Sequence, residues 1–72
     1  MIHKTIIPLA SADRIIRNAC PDTRVSDNAI LELAKTLEEY GTRISLKALE
    51  FCKHAKRNTI KEEDIVLAIA QV

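Results

Sequence analysis

The sequence predicts an all-α protein: short helix, loop, long central helix, loop, short helix. Three observations predict it. From Ser26 to Ala55 apolar residues recur in steps of three and four, the pattern of one amphipathic helix of about eight turns. Shorter apolar helical patterns stand on either side, in Asp13–Arg24 and Arg57–Ala70. The composition is rich in Ala, Leu, Ile, Glu and Lys, while one Gly, two Pro, one Tyr and one Phe suit few strands and turns.

Taken in order, Met1–Leu9 reads as an N-terminal arm, because Pro8 disfavours helix at Ile7, and residues 10–72 read as a single domain. Ser11 is expected to cap the first helix, with Asp13 in its first turn. Ile15, Ile16 and Ala19 form its buried face, Arg14 and Arg17 share the opposite one, and Pro21 ends it. The first loop is Pro21–Val25. Ser26 then begins the long helix, with Asp27 at the positive end of its dipole. Its stripe runs through Ile30, Leu33, Ala34, Leu37, Tyr40, Gly41, Ile44, Ala48, Phe51, Cys52 and Ala55, and Leu31, Leu46 and Leu49 widen it. Gly41 costs about 1 kcal/mol relative to Ala, and close approach of another helix is the expected compensation. The second loop is Lys56–Ile60. Glu62, Glu63 and Asp64 crowd the first turn of the last helix, whose apolar residues are Ile65, Leu67, Ala68, Ile69 and Val72. Arg24-Val25 and Thr59-Ile60 are β-favouring pairs, too short to hold as strands alone but able to pair with another loop.

A net charge of +1 indicates no partner by itself, so the placement of the charges must carry that argument. Cys20 and Cys52 read as free thiols in a reducing compartment. No signal-length apolar segment and no run near the ~20 residues of a membrane span is present, so the chain is expected to remain in the cytoplasm where it is made. No Gly-rich phosphate loop and no Ser/His/Asp grouping appears. Cys52 and His54 are two apart, a spacing that does not share a helix face, so no metal site, cofactor, small-molecule substrate or enzyme activity is expected.

Length decides association. Thirty helical residues span ~45 Å, whereas a compact globule of this chain length is roughly 29 Å across. Two short helices cannot cover so long a stripe. A second copy crossing near Tyr40-Gly41 with two-fold symmetry is the simplest cover; a place as a long hairpin in a larger hetero-complex is the rival. In an antiparallel pair the first loop of one chain lies beside the second loop of the other. That sets Arg24 near the partner's Arg57, Asn58, Thr59 and Lys61.

The segments RIIRNA (14–19), RVSDNA (24–29), LAKTLEEYG (33–41) and KHAKRNTIKEEDIVLA (53–68) resemble the histone fold, most closely the minimal, tail-less histones of archaea. The resemblance implies a handshake dimer of the long helices, a four-helix bundle between dimers, and wrapping of double-stranded DNA without base-specific contacts. It implies chromosome or nucleoid association. It also implies roles: Arg24 enters the minor groove, Thr59 of the partner pairs with it, and Arg14 and Arg17 lie near DNA. Arg57 and Asp64 form an intrachain ion pair. His54 and Asp64 form a polar contact between dimers, with Phe51 the apolar position beside it. The basic loop of Lys56, Arg57, Asn58, Thr59 and Lys61 is expected at the DNA, although Arg57 also reads as a structural residue that positions Thr59.

The departures from the family pattern are specific. Asn58 stands where Lys is usual, Phe51 where a smaller residue is, and Lys56 in place of a helix-ending Gly. Cys20-Pro21 replaces a small residue in a first loop one residue longer than usual. The arm is long, and no basic tail is expected after Val72. Partners implied are DNA and a second copy, with a paralogous histone, a tetramer or a longer fibre left open. The alternative is a histone-fold heterodimerisation subunit of a transcription or replication complex, with little DNA binding of its own. His54 also admits a reading as a pH switch, because imidazole titrates near neutrality.

Overall fold

A computed structural model of the chain describes residues 5–72, so residues 1–4 of the expected arm lie outside the described part. The architecture is all-α: α1 (Leu9–Ala19), α2 (Asp27–His54) and α3 (Glu62–Gln71). No residue among those described is in a strand, and no described helix is long and apolar enough to cross a membrane. The chain packs as two compact units, one up to Glu39 and one from Tyr40, and α2 contributes to both.

In the first unit, α1 begins earlier than the expected Ser11 cap. Pro8 is the N-cap, at φ −59° and ψ 138°, and its carbonyl accepts the amides of Ser11 (3.0 Å) and Ala12 (3.3 Å). Proline fixes the φ that leads into a helix and has no amide to leave unpaired. No side chain caps this helix, and no acidic residue lies in its first turn, so the roles expected of Ser11 and Asp13 are corrected. The buried face is corrected too. Ala12 is fully buried and Ile16 partly so, whereas Ile15 is 51% exposed and Ala19 is exposed. Ala12 and Ile16, four apart, share one face. They pack with Ile30 and Ala34 of α2 and the half-buried Val25 and Leu33.

Ser26 caps α2 as expected: its Oγ accepts the Ala29 amide at 3.1 Å. Such a cap contributes about 1 kcal/mol. The preceding arm folds onto the same helix. The Thr5 hydroxyl donates to the Ile7 carbonyl (2.7 Å), and the Ile7 amide donates to Glu38 Oε1 (2.8 Å). A β-carbon added to Gly41 would meet nothing within 4 Å, so no helix of this chain makes the close approach expected there.

In the second unit the buried residues are Ala48, Cys52, Ala68 and Asp64, with Asp64 and Cys52 the largest fully buried side chains. α2 ends in a left-handed turn. Lys56 sits at φ 58°; its amide donates to the Lys53 carbonyl (2.9 Å), and the next amide, of Arg57, reaches back to the Cys52 carbonyl (3.1 Å). These are the paired bonds that close a helix through a left-handed residue, a place where glycine is usual. α3 opens on Lys61, whose amide donates to Asp64 Oδ2 at 2.8 Å while the Lys61 carbonyl accepts the Asp64 amide at 3.0 Å. A carboxylate three residues into the helix thus caps the backbone before it.

Candidate nucleic-acid interface

The second loop, residues 55–61, is held from within. The Arg57 guanidinium donates to both oxygens of Asp64, Nη1 to Oδ2 and Nη2 to Oδ1, each at 2.9 Å. Nη1 also donates to the Thr59 carbonyl (2.9 Å), and Glu63 lies 3.8 Å from Nη2. Such a fork fixes geometry as well as charge. The Arg57 side chain is 25% exposed and that of Asp64 2%. Hydrogen bonds from Arg57, then from the Lys61 amide, hold the Asp64 carboxyl at about 2, below its ordinary 3.8; burial opposes them and loses.

Beneath the loop lies Cys52, 1% exposed. Its thiol faces the Arg57 carbonyl at 3.1 Å and the Thr59 carbonyl at 3.3 Å. The Thr59 carbonyl is therefore turned inward, towards Arg57 and Cys52. Lys56, Asn58, Thr59 and Lys61 are all exposed. The arrangement presents two ammonium groups, a hydroxyl and an amide on a backbone fixed by buried bonds, which suits recognition of an anionic, hydrogen-bond-accepting ligand. Arg57 is different, because its guanidinium is committed to Asp64 and the loop.

The first loop belongs to the other unit. Arg24 is exposed there and has no ion pair or hydrogen bond among the described contacts. The loop before it turns through a bond from the Thr23 amide to the Cys20 carbonyl (3.2 Å). On α1, Arg14 is exposed, while Arg17 Nε donates to Asp13 Oδ1 at 2.6 Å. Asp13 is thus an ion-pair partner on the basic face rather than a dipole residue. At the end of α2, Phe51 is half-buried and His54 exposed. Asp64, expected to meet His54 across a dimer–dimer contact, is buried. Its Oδ1 carries one hydrogen bond and its Oδ2 two among the described contacts. No group of three or more His, Cys, Asp or Glu that could hold a metal occurs among the described residues.

Sequence reasoning misses the place of Cys52 under the loop. The available signal is its position four residues before Lys56, where a helix-closing turn folds the chain back over it.

Residues 5–69 match the family described as histone-like transcription factor (CBF/NF-Y) and archaeal histone. The chain is 48% identical over 63 residues to the archaeal histone HAN1 of Thermococcus zilligii, covering 88% of this chain and 92% of that protein. It is 40% identical over 63 residues to probable archaeal histone 3 of Methanocaldococcus jannaschii, with the same two coverages. It is 34% identical over 65 residues to nuclear transcription factor Y subunit beta of Homo sapiens, covering 89% of this chain and 31% of that protein.

Proposed function

The chain belongs to the histone-fold family of archaeal histones and histone-like transcription factors, and from that premise we propose that it dimerises and wraps double-stranded DNA as a chromosomal protein. Proteins of this family are not enzymes, and this chain is not one. The observation that carries the reading is the second loop: Arg57 and Asp64 form its buried frame, and Lys56, Asn58, Thr59 and Lys61 stand outside it.

In the proposed dimer the long helices cross in antiparallel fashion, and each first loop lies beside the partner's second loop. Arg24 enters the minor groove where it faces the protein, while Lys56, Lys61, Arg14 and Arg17 meet phosphates. Asn58 adds hydrogen bonding without charge, and Arg57 acts on DNA through the loop it holds. Sequence enters only through the ease of bending the duplex. The exposed His54 and half-buried Phe51 form the surface through which dimers meet. Asp64 contributes there only through Oδ1, because its remaining capacity is used inside the chain.

Burial supports association. The buried apolar residues are four alanines, Ile30 and Cys52, while Leu46 is 61% exposed, Val66 57% and Leu67 52%. A single chain leaves its large apolar side chains in water, and covering them contributes ~25 cal/mol per Å².

Mobility-shift titration of duplex DNA at several salt concentrations tests the reading. Wild type is expected to bind with affinity falling steeply as salt rises, because each phosphate contact releases a counterion. Arg24→Ala should weaken binding by roughly 1–3 kcal/mol. Binding that ignores salt, or none, would defeat the proposal. The second reading, as one half of a heterodimer, draws on the likeness to nuclear transcription factor Y subunit beta. It is favoured if the pure chain sediments as an unfolded or aggregated species and becomes a defined dimer only with another histone-fold chain.

A further inference from the structure

We propose that Cys52 is a positioning residue for the second loop: its buried thiol is an internal latch that sets the backbone on which Thr59 and Lys61 are presented. The inference rests on the reading of that loop as a DNA-binding surface.

Cys52 stands at the third position from the end of α2, where the closing turn brings the chain back over the helix. In such turns the residue past the left-handed position commonly makes an apolar contact with this one. Here that residue is Arg57, and the contact is polar in both directions. The Arg57 amide donates to the Cys52 carbonyl at 3.1 Å, and the Cys52 thiol faces the Arg57 carbonyl at 3.1 Å. The same sulfur lies 3.3 Å from the Thr59 carbonyl, which Arg57 Nη1 also bonds at 2.9 Å. Two donors from inside the unit therefore pin one carbonyl, and the exposed side chain of Thr59 is left on the outer side.

The latch has a local reason to exist. Lys56 occupies φ 58°, a conformation that costs a residue with a β-carbon what it does not cost glycine. A helix end closed by lysine opens more readily, and the loop beyond it needs further attachment. The thiol supplies one inside the unit, at 1% exposure, where water cannot replace the bond.

Cys52→Ala and Cys52→Ser form the test, since they leave voids of nearly equal size and differ in the donor. Amide exchange at residues 57–61 and duplex affinity are measured for both, well below the melting temperature. Cys52→Ala is expected to speed exchange in the loop and weaken DNA binding by roughly three- to tenfold, while Cys52→Ser restores most of both. If Ala and Ser behave alike, packing alone matters and the latch is overturned. Unchanged exchange in Cys52→Ala also overturns it. If wild type fails to bind duplex DNA, the DNA-wrapping reading falls and the exchange arm alone decides the latch.

A spectroscopic arm needs neither DNA nor the alanine variant. In Cys20→Ser the only thiol is Cys52, and in Cys52→Ser it is the exposed Cys20. The S–H stretching band should lie lower in the first protein, and coincident bands would overturn the latch.

Discussion

Protonating Asp64 weakens three hydrogen bonds at once, two from Arg57 and one from the Lys61 amide. Its folded carboxyl is held at about 2 against an ordinary 3.8, so the unfolded chain binds the proton more readily. Its stabilising effect is therefore complete above the unfolded value and drains away as pH falls towards 2. Urea unfolding of wild type and Asp64→Asn should show a stability gap near neutrality that narrows across this window. A gap independent of pH would contradict the pairing. At this scale the sequence is only partly legible. The pairing of Arg57 with Asp64 is reachable through the family resemblance, because seven residues of loop separate the two and no helical spacing joins them. Cys52 is harder still. A thiol's partners here are carbonyls five and seven residues downstream, and their position depends on the left-handed turn at Lys56.

The helices themselves are legible because burial and capping point the same way. Ser26 and Asp27 mark the start of α2, and the stripe from Ile30 onward persists to its last turn. The start of α1 is misread because two start signals compete. Ser11 offers a side-chain cap, but Ala12 must already be helical to lie on one face with Ile16, and Pro8 permits that earlier start. The end of α2 gives the prediction proper to this scale. Lys56→Gly should stabilise the protein by about 1 kcal/mol, the cost of a left-handed residue that carries a β-carbon, less some entropy regained by the unfolded chain. Thermal or urea unfolding measures it. A destabilised glycine variant would mean that the lysine side chain contributes more at the helix C-terminus than its backbone costs.

For the molecule as a whole, the exposed Leu46, Val66 and Leu67 describe a chain whose large apolar groups lack cover of its own making. The sequence indicates this need through helix length, but the identity of the cover lies beyond the pattern of one chain. Gly41 tests the proposed crossing. Open space surrounds it in the chain, so Gly41→Ala should raise helix stability by about 1 kcal/mol if nothing else packs there. In the handshake dimer a second helix fills that space. The expected outcome is therefore a weaker dimer, seen as dissociation at higher protein concentration in sedimentation. A variant that is more stable and equally dimeric would move the crossing away from residue 41.

Tyr40 stands beside that glycine, 40% exposed, with the Arg43 guanidinium carbon 6.0 Å from its ring centroid. The chain has no tryptophan and no other tyrosine. All intrinsic phenol emission therefore originates at the centre of α2, with no background from elsewhere in the protein. Dilution through the dissociation range is followed at that midpoint without a dye or an added label, while the loops at either end remain optically silent.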